Sequence, residues 1–225
     1  MAYRNLIILI LLSAFVFLST PSFAAEVSWG TWSYGIANVT GIDQWSSGSA
    51  SATANTLKAF AGTSTTLNPT SWTDKNINTS ITLSNTFTIN PGVNESTGQQ
   101  IRANIYGNLV GLLYAASANN AYGLAGSYSA SVSAKVDAGF ASWRNPLADS
   151  SIVGSAPRIP SYGQVNLSFD YRDGTMGVVT IGQSYQFMME LNVNAQSTGA
   201  LQSFASFDDS YINGGLFYAS IAISD

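Results

Sequence analysis

An all-β fold, a sandwich of two packed antiparallel sheets, follows from three features of the sequence. First, from Gln164 to Gln196 apolar and polar residues alternate over most of the length. Val165, Leu167, Phe169 and Tyr171 alternate with Asn166, Ser168, Asp170 and Arg172. Further on, Tyr185, Phe187, Met189, Leu191, Val193 and Ala195 alternate with Gln186, Met188, Glu190, Asn192, Asn194 and Gln196. A period of two marks half-buried strands, because successive side chains leave a pleated backbone on opposite faces. Second, Ser, Thr, Asn, Gly and Ala dominate and helix formers are scarce, which suits many short strands joined by turns. Third, no linker-like stretch divides the chain. Each sheet must cover one apolar face, so a single β-sandwich domain over residues 25–225, with about nine to eleven strands, is predicted. A closed β-barrel is the runner-up.

Taken in order, Met1 to Ala24 has one basic residue, Arg4, then an apolar run from Leu6 to Leu18, then small residues at Ser22 and Ala24. Basic, apolar, small–x–small is the order of a cleaved signal peptide. The run is shorter than the ~20 residues a membrane-spanning helix needs. A secreted or extracellular protein is expected, the periplasm being the alternative destination, with no membrane span after cleavage.

Glu26 to Gly41 crowds Trp29, Trp32 and Tyr34 together without clean alternation and reads as a bent opening strand. Ser49 to Thr63 alternates small residues and reads as one strand. Leu67 to Asn78, with Pro69, reads as a loop. Ser80 to Asn90 puts Ile81, Leu83, Phe87 and Ile89 on one face, and Asn85 on that same parity suggests a bulge or a strand end. Gln100 to Ala116 begins as a strand, and Gly107 and Gly111 speak against a helix in its second half. Tyr128 to Asp137 alternates Ala and Val with Ser, Lys and Asp, a clear strand. Trp143 to Tyr162 holds three prolines and no period, which predicts a long surface loop. Arg172-Asp173-Gly174-Thr175 reads as a hairpin turn. Leu201 to Asp209 and Gly215 to Ser224 close the chain as two strands joined across Ser210 to Gly214. Ala and Ser on many apolar parities predict closely approaching sheets or flat edges, and flat edges invite pairing with another strand.

The composition narrows the chemistry. There is no histidine and no cysteine. That removes the commonest general base, the commonest metal ligand, thiolate catalysis, disulfides and any Ser-His-Asp arrangement. The formal charge is −4 and the basic residues are scattered singly, which argues against nucleic acid and anionic lipid as partners. Carboxylates remain. Asp170 and Asp173 read as solvated turn residues, and a glycosidase pair cannot be singled out. Asp208 and Asp209 with Asn213 are the candidate metal ligands, since calcium takes carboxylate and carbonyl oxygens from loops. The candidate ligand-binding residues are Trp72 and Trp143, which sit in polar, Pro-bearing stretches. There an indole could serve as a platform for a sugar ring, whereas the other tryptophans read as packing. Four glycosylation sequons begin at Asn38, Asn78, Asn94 and Asn166, as chance allows in so Asn- and Ser-rich a chain.

Three stretches of the second half carry a likeness: GSYSASVSAKV, then VTIGQSYQFMMELNVNAQS, then SFASFDDSYINGGLFYASIAI. With Phe187 to Ala195, Ala205 to Ser210 and Leu216 to Ile223 as the matching elements, this resembles the exported β-sandwich ectodomains of bacterial PEP-CTERM proteins. The sequence has no Pro-Glu-Pro motif, hydrophobic anchor or basic tail after these strands, so that sorting route is not implied. The likeness implies an exported extracellular or matrix-associated domain and brings no catalytic residues. The function expected is therefore a non-enzymatic, structural or adhesive protein of the cell surface or extracellular matrix, without a cofactor. The alternative is a carbohydrate-binding module. Extracellular polysaccharide, or self-association through strand edges, is the expected partnership.

Overall fold

The computed structural model describes residues 24–42, 46–63, 75–117, 127–145, 151–155, 161–198, 201–209 and 214–224. Among them fifteen strand segments form two antiparallel sheets packed face to face. The first sheet is built on β6 (Lys75–Asn90), β13 (Ser184–Ser197) and β8 (Ser127–Asp137). Its edges are β1 (Glu26–Trp29), β2 (Ser33–Tyr34) and β3 (Asn38–Thr40) on one side, and β9 (Ser142–Arg144) and β10 (Ser151–Ser155) on the other. The second sheet centres on β7 (Gln100–Ser117), flanked by β11 (Ser161–Phe169) and β12 (Met176–Thr180) on one side. On the other side lie β14 (Leu201–Phe207) and β15 (Leu216–Ser224), then β5 (Thr56–Thr63) and β4 (Ser46–Thr53). No pairing closes the two sheets into a barrel among the described residues.

Segments outnumber the predicted strands because several rows are interrupted and then resumed. Along the edge of β6, Trp29 faces Phe87, Ser33 faces Ser84 and Asn38 faces Ser80. At each break the edge chain has advanced one residue more than β6, the mark of a bulge. That is the physical reason Trp29, Trp32 and Tyr34 do not share a parity. The bulge expected near Asn85 exists, but in the neighbouring strand. β6 runs straight through, and the buried Asn85 amide donates to the carbonyl of Gly30 at 3.3 Å, inside the first bulge.

Three stretches differ from the reading of the sequence. Ser49 to Thr63 is not one strand: β4 and β5 form a hairpin across Ala54-Asn55, with Asn55 at φ 62, a left-handed conformation that Asn tolerates well. Arg172 to Thr175 is not a hairpin. β11 and β12 both pair with the same side of β7, and Tyr171–Asp173 is a 3-10 turn between them. The Asp170 side chain caps that turn and Gly174 leaves it at φ 73, so the left-handed glycine was legible but its context was not. The last two strands likewise run in the same direction along β7. Ser206 faces Leu112 and Leu216 faces Val110, so the chain from Asp208 to Gly215 is an excursion out of one row. Its base is closed by the Gly215 amide donating to the Asp208 carbonyl at 2.8 Å.

The long loop expected over Trp143 to Tyr162 holds two short strands, β9 and β10, which pair with β8. Proline 146 falls between β9 and β10 and prolines 157 and 160 between β10 and β11, in 146–150 and 156–160, outside the described residues.

Between the sheets, the alternation read from sequence is realised along β6 and β13, whereas Asp170 and Tyr171, read as its continuation after Phe169, lie beyond β11 in the 3-10 turn and its cap. Phe187, Met189, Leu191, Val193 and Ala195 are fully buried, as are Ile77, Leu83, Phe87 and Ile89. Phe207 and Phe217 supply the largest buried side chains of the second sheet. Each such ring contributes about 2–3 kcal/mol on leaving water. Gly107 and Gly111 sit on the core parity of β7. A Cβ on Gly111 would lie 2.4 Å from the Phe207 ring, and one on Gly107 would lie 2.6 Å from the Phe169 ring. These glycines make room for aromatic rings packed against the strand, a packing role in a sheet interior.

Candidate functional site

The two outer faces of the sandwich differ sharply in chemistry. On the first sheet, β6 turns Asn76, Asn78, Ser80, Thr82, Ser84, Thr86, Thr88 and Asn90 away from the core. Beside them β13 turns out Gln186, Met188, Glu190, Asn192, Asn194 and Gln196. Neighbours across the strands hydrogen-bond: Asn194 donates to Asn76 at 2.8 Å, Ser129 to Gln196 at 3.2 Å, and Thr88 pairs with Ser184 at 2.7 Å. This face is a solvated polar lattice.

On the second sheet the outward residues of the central rows are largely apolar. Next to the buried Leu109 and Leu113, β7 turns out Tyr106, Val110, Leu112 and Tyr114. Phe204 of β14, Leu216 and Tyr218 of β15 and Phe60 of β5 share the face; Tyr106 is exposed, at 37 %, and the others are half-buried. The register lines them up: Tyr114 faces Phe204, Leu112 faces Ser206, and Ser206 faces Phe60. The Tyr114 and Phe204 rings stack with centroids 4.7 Å apart and 20° between planes, and Phe60 follows at 6.4 Å and 32°. The Phe60 ring also covers Gly62, where an added Cβ would lie 2.6 Å from it. Tyr106 and Tyr218 meet edge to face at 6.3 Å. Both flanks of this aromatic centre are uncharged and exposed, with Gln164, Asn166 and Ser168 on β11 and Ser47, Ser49, Ser51 and Thr53 on β4. Lys58 of β5 stands on the same face two residues from Phe60 and is paired with Asp209 at 2.6 Å, so the aromatic centre carries one neutralised ion pair on its β5 side within a polar rim, the anatomy of a recognition surface.

Tyr218 also titrates unusually. Burial of its hydroxyl, together with a hydrogen bond to Tyr106, raises its pKa above the ordinary tyrosine value, outweighing a hydrogen bond to Ser220 that acts the other way.

Of the residues singled out from sequence, Trp143, Asp208 and Asp209 lie among the described residues. Trp143 lies in β9, not in a loop, and is 9 % exposed. It stacks on Phe169 at 4.1 Å and touches Phe217 at 5.9 Å, so its faces are spent on the core and it offers no platform for a ligand. The parity of Ser142-Trp143-Arg144 is what turns it inward, opposite Val136. Trp72 and Asn213 lie outside the described residues, as does Trp45. Trp29 and Trp32 stack on each other at 5.1 Å and lean edge-on against Phe187, closing one end of the core.

Of the candidate metal ligands, Asp208 accepts from the Ser206 hydroxyl at 3.0 Å, and Asp209 accepts from the Lys58 ammonium at 2.6 Å. Lys58 thus already supplies a cation to Asp209. Among the described residues no group of three or more His, Cys, Asp or Glu side chains is gathered for a metal.

Sequence reasoning missed the aromatic face itself. Its signal was present: Tyr106, Leu112, Tyr114, Phe204 and Tyr218 occupy the parity opposite to the buried residues of their strands, so those strands are apolar on both faces. Comparison with protein-family models, with curated proteins and with solved structures finds no match. No helix among the described residues is long and apolar enough to cross a membrane.

Proposed function

We propose that this chain is an exported, non-enzymatic structural or adhesive β-sandwich of the cell surface or extracellular matrix, acting through the outer face of its second sheet. The observation that carries the reading is the row of Phe60, Phe204 and Tyr114, the last two stacked, between two uncharged polar flanks. Aromatic side chains left on a sheet's outer face hold free energy that is released when a partner removes them from water. The opposite face, a lattice of hydroxyls and amides that hydrogen-bond across its strands, has no such driving force. The apolar leader from Leu6 to Leu18 and the absence of His and Cys from the composition support export and a non-catalytic role.

Partnership with extracellular polysaccharide and self-association through strand edges are both part of this reading. The ring geometry favours an apolar partner surface over a single stacked sugar. Tyr114 and Phe204 turn their faces toward each other, whereas sugar stacking needs a free ring face.

The test is retention of the chain on insoluble polysaccharides and on isolated cell-surface matrix, compared with the Tyr114→Thr/Phe204→Thr double variant. Retention on matrix that the double variant loses, with its thermal midpoint little changed, supports the adhesive reading. Retention on one polysaccharide alone turns the assignment to a carbohydrate-binding module. Equal retention of both forms on every surface removes the face from the function.

A further inference from the structure

Self-association through strand edges, part of the reading above, takes a definite form when the four edges of the sandwich are compared. An edge strand exposes a row of unpaired amide and carbonyl groups, and proteins blunt such rows with bulges, breaks, charges or short strands. One edge of the first sheet, β1 to β3, is broken by two bulges. Its other edge is split into β9, of 3 residues, and β10, of 5. Between these two the Asn145 side chain fills the ladder, accepting from the Ala134 amide at 2.7 Å and donating to the Val132 carbonyl at 3.2 Å. In the second sheet the β11 edge runs into the capped turn that carries Asp170, Arg172 and Asp173.

The fourth edge has none of these devices. β4 is an unbroken strand of 8 residues, SSGSASAT, without charge, proline or bulge, and among the described residues it pairs with β5 alone, along its whole length. Its outward side chains, Ser47, Ser49, Ser51 and Thr53, are small and exposed, so a second backbone can approach without a clash.

We infer that β4 is the surface through which one copy of this chain recognises a second, β4 pairing antiparallel with β4 about a two-fold axis. The two second sheets then become one continuous sheet. Three observations select this occupant. A two-fold pairing sets a strand against itself, which any charge would oppose, and β4 has none. Within one copy β4 and β11 run in the same direction, because each adjacent row between them is antiparallel. Head-to-tail stacking by simple translation would therefore make a parallel pair, slightly weaker per residue than the antiparallel pair made by the two-fold. The pairing also aligns two copies of the aromatic face side by side, doubling the proposed adhesive surface and adding avidity.

The experiment is sedimentation of the full chain over a range of concentration, with Ser49→Lys, Ser49→Glu and their equimolar mixture. Position 49 lies near the middle of β4, and a two-fold that keeps both outer faces on one side pairs residues of like parity, so a register centred on Ser49 or on Ala50 sets its two copies directly opposite or within diagonal reach. The wild-type chain is expected to pass from monomer to dimer, each single variant to weaken that dimer by about tenfold or more, and the mixture to restore it. Because the chain has no cysteine, Ser49→Cys adds its sole thiol, and oxidation should trap a disulfide-linked dimer. A wild-type chain monomeric up to about 1 mM, a dimer indifferent to both charges, or no restoration on mixing overturns the proposal. So does growth past the dimer, which a closed two-fold through β4 alone does not allow. A monomer that is still retained on matrix would sink the pairing and leave the adhesive reading intact.

Discussion

Trp143 and Phe169 lie flat on each other across the sandwich, centroids 4.1 Å apart and planes 14° from parallel, one ring from each sheet. β9 has only 3 residues, too few to hold an edge by its ladder alone, so this ring contact is what fastens it to the opposite sheet. Trp143→Ala should destabilise the fold by about 3–5 kcal/mol, the usual cost of deleting a buried Trp. Trp143→Phe, which keeps a ring over Phe169, should lose much less. Urea unfolding of the two variants checks the order. Equal, small losses would show that β9 is held by something else.

The Asn145 amide bridges the gap that β9 and β10 leave on the edge of β8. It is 3 % exposed, and its removal strands the Ala134 amide and the Val132 carbonyl away from water. Asn145→Ala should therefore cost about 2–3 kcal/mol, two broken hydrogen bonds with buried partners left behind. Amide hydrogen exchange gives the local readout. Exchange at Ala134 should accelerate more than at Leu191, which faces it in β13.

Much of the fold was legible, and the reason is visible in β13. Its buried and outward residues follow the sequence alternation without a slip, because it is paired on both sides along most of its length and nothing interrupts it. What misled was continuity. Asp173-Gly174 looks like a hairpin turn because left-handed glycine is shared by hairpins and by 3-10 exits. Only tertiary pairing with β7 shows that the chain carries on in the same row. Trp143 looked exposed because its neighbours are polar and proline follows, whereas one residue of strand parity decided its direction. The aromatic face went unseen for a related reason. Phe60, Phe204 and Tyr218 each sit next to an apolar residue of the opposite parity, so no alternation marked which face they join.

Tyr218 gives the outer face a signature in pH. Its folded pKa is raised, so the unfolded chain releases this proton first as pH rises. The stability it contributes is fully present below the unfolded tyrosine value, about 10, and is lost as pH climbs through the higher folded value. Urea midpoints measured from pH 8 to pH 11 should fall more steeply in the wild-type chain than in Tyr218→Phe. Parallel curves would mean that the hydroxyl is no better protected from ionisation in the folded chain than in the unfolded one.

The glycines of β7 provide the sharpest test of the interior. Gly111 lies between rows whose rings and carbonyls close over it, with Phe207 carbons at 2.4 and 2.5 Å and the Ser206 carbonyl oxygen at 2.6 Å from where a Cβ would stand. A ring can swing aside, but a carbonyl held in the ladder cannot without pulling β14 from β7. In an open strand, replacing Gly with Ala normally strengthens the strand, because Gly loses more conformational freedom on folding. At position 111 crowding should win and Gly111→Ala should destabilise by about 1–3 kcal/mol, the cost of overpacking a full core. Gly98 supplies a contrast, since nothing lies within 4 Å of a Cβ there, although its φ of 93 penalises any side chain. Alanine at 98 should therefore cost only the backbone strain, about 1–2 kcal/mol, and pairing it with Phe207→Leu should bring no relief. At 111 the smaller Phe207→Leu side chain should recover part of the loss, and a double-mutant cycle reads the difference. Coupling at 98 equal to that at 111 would rule out the ring contact as the cause.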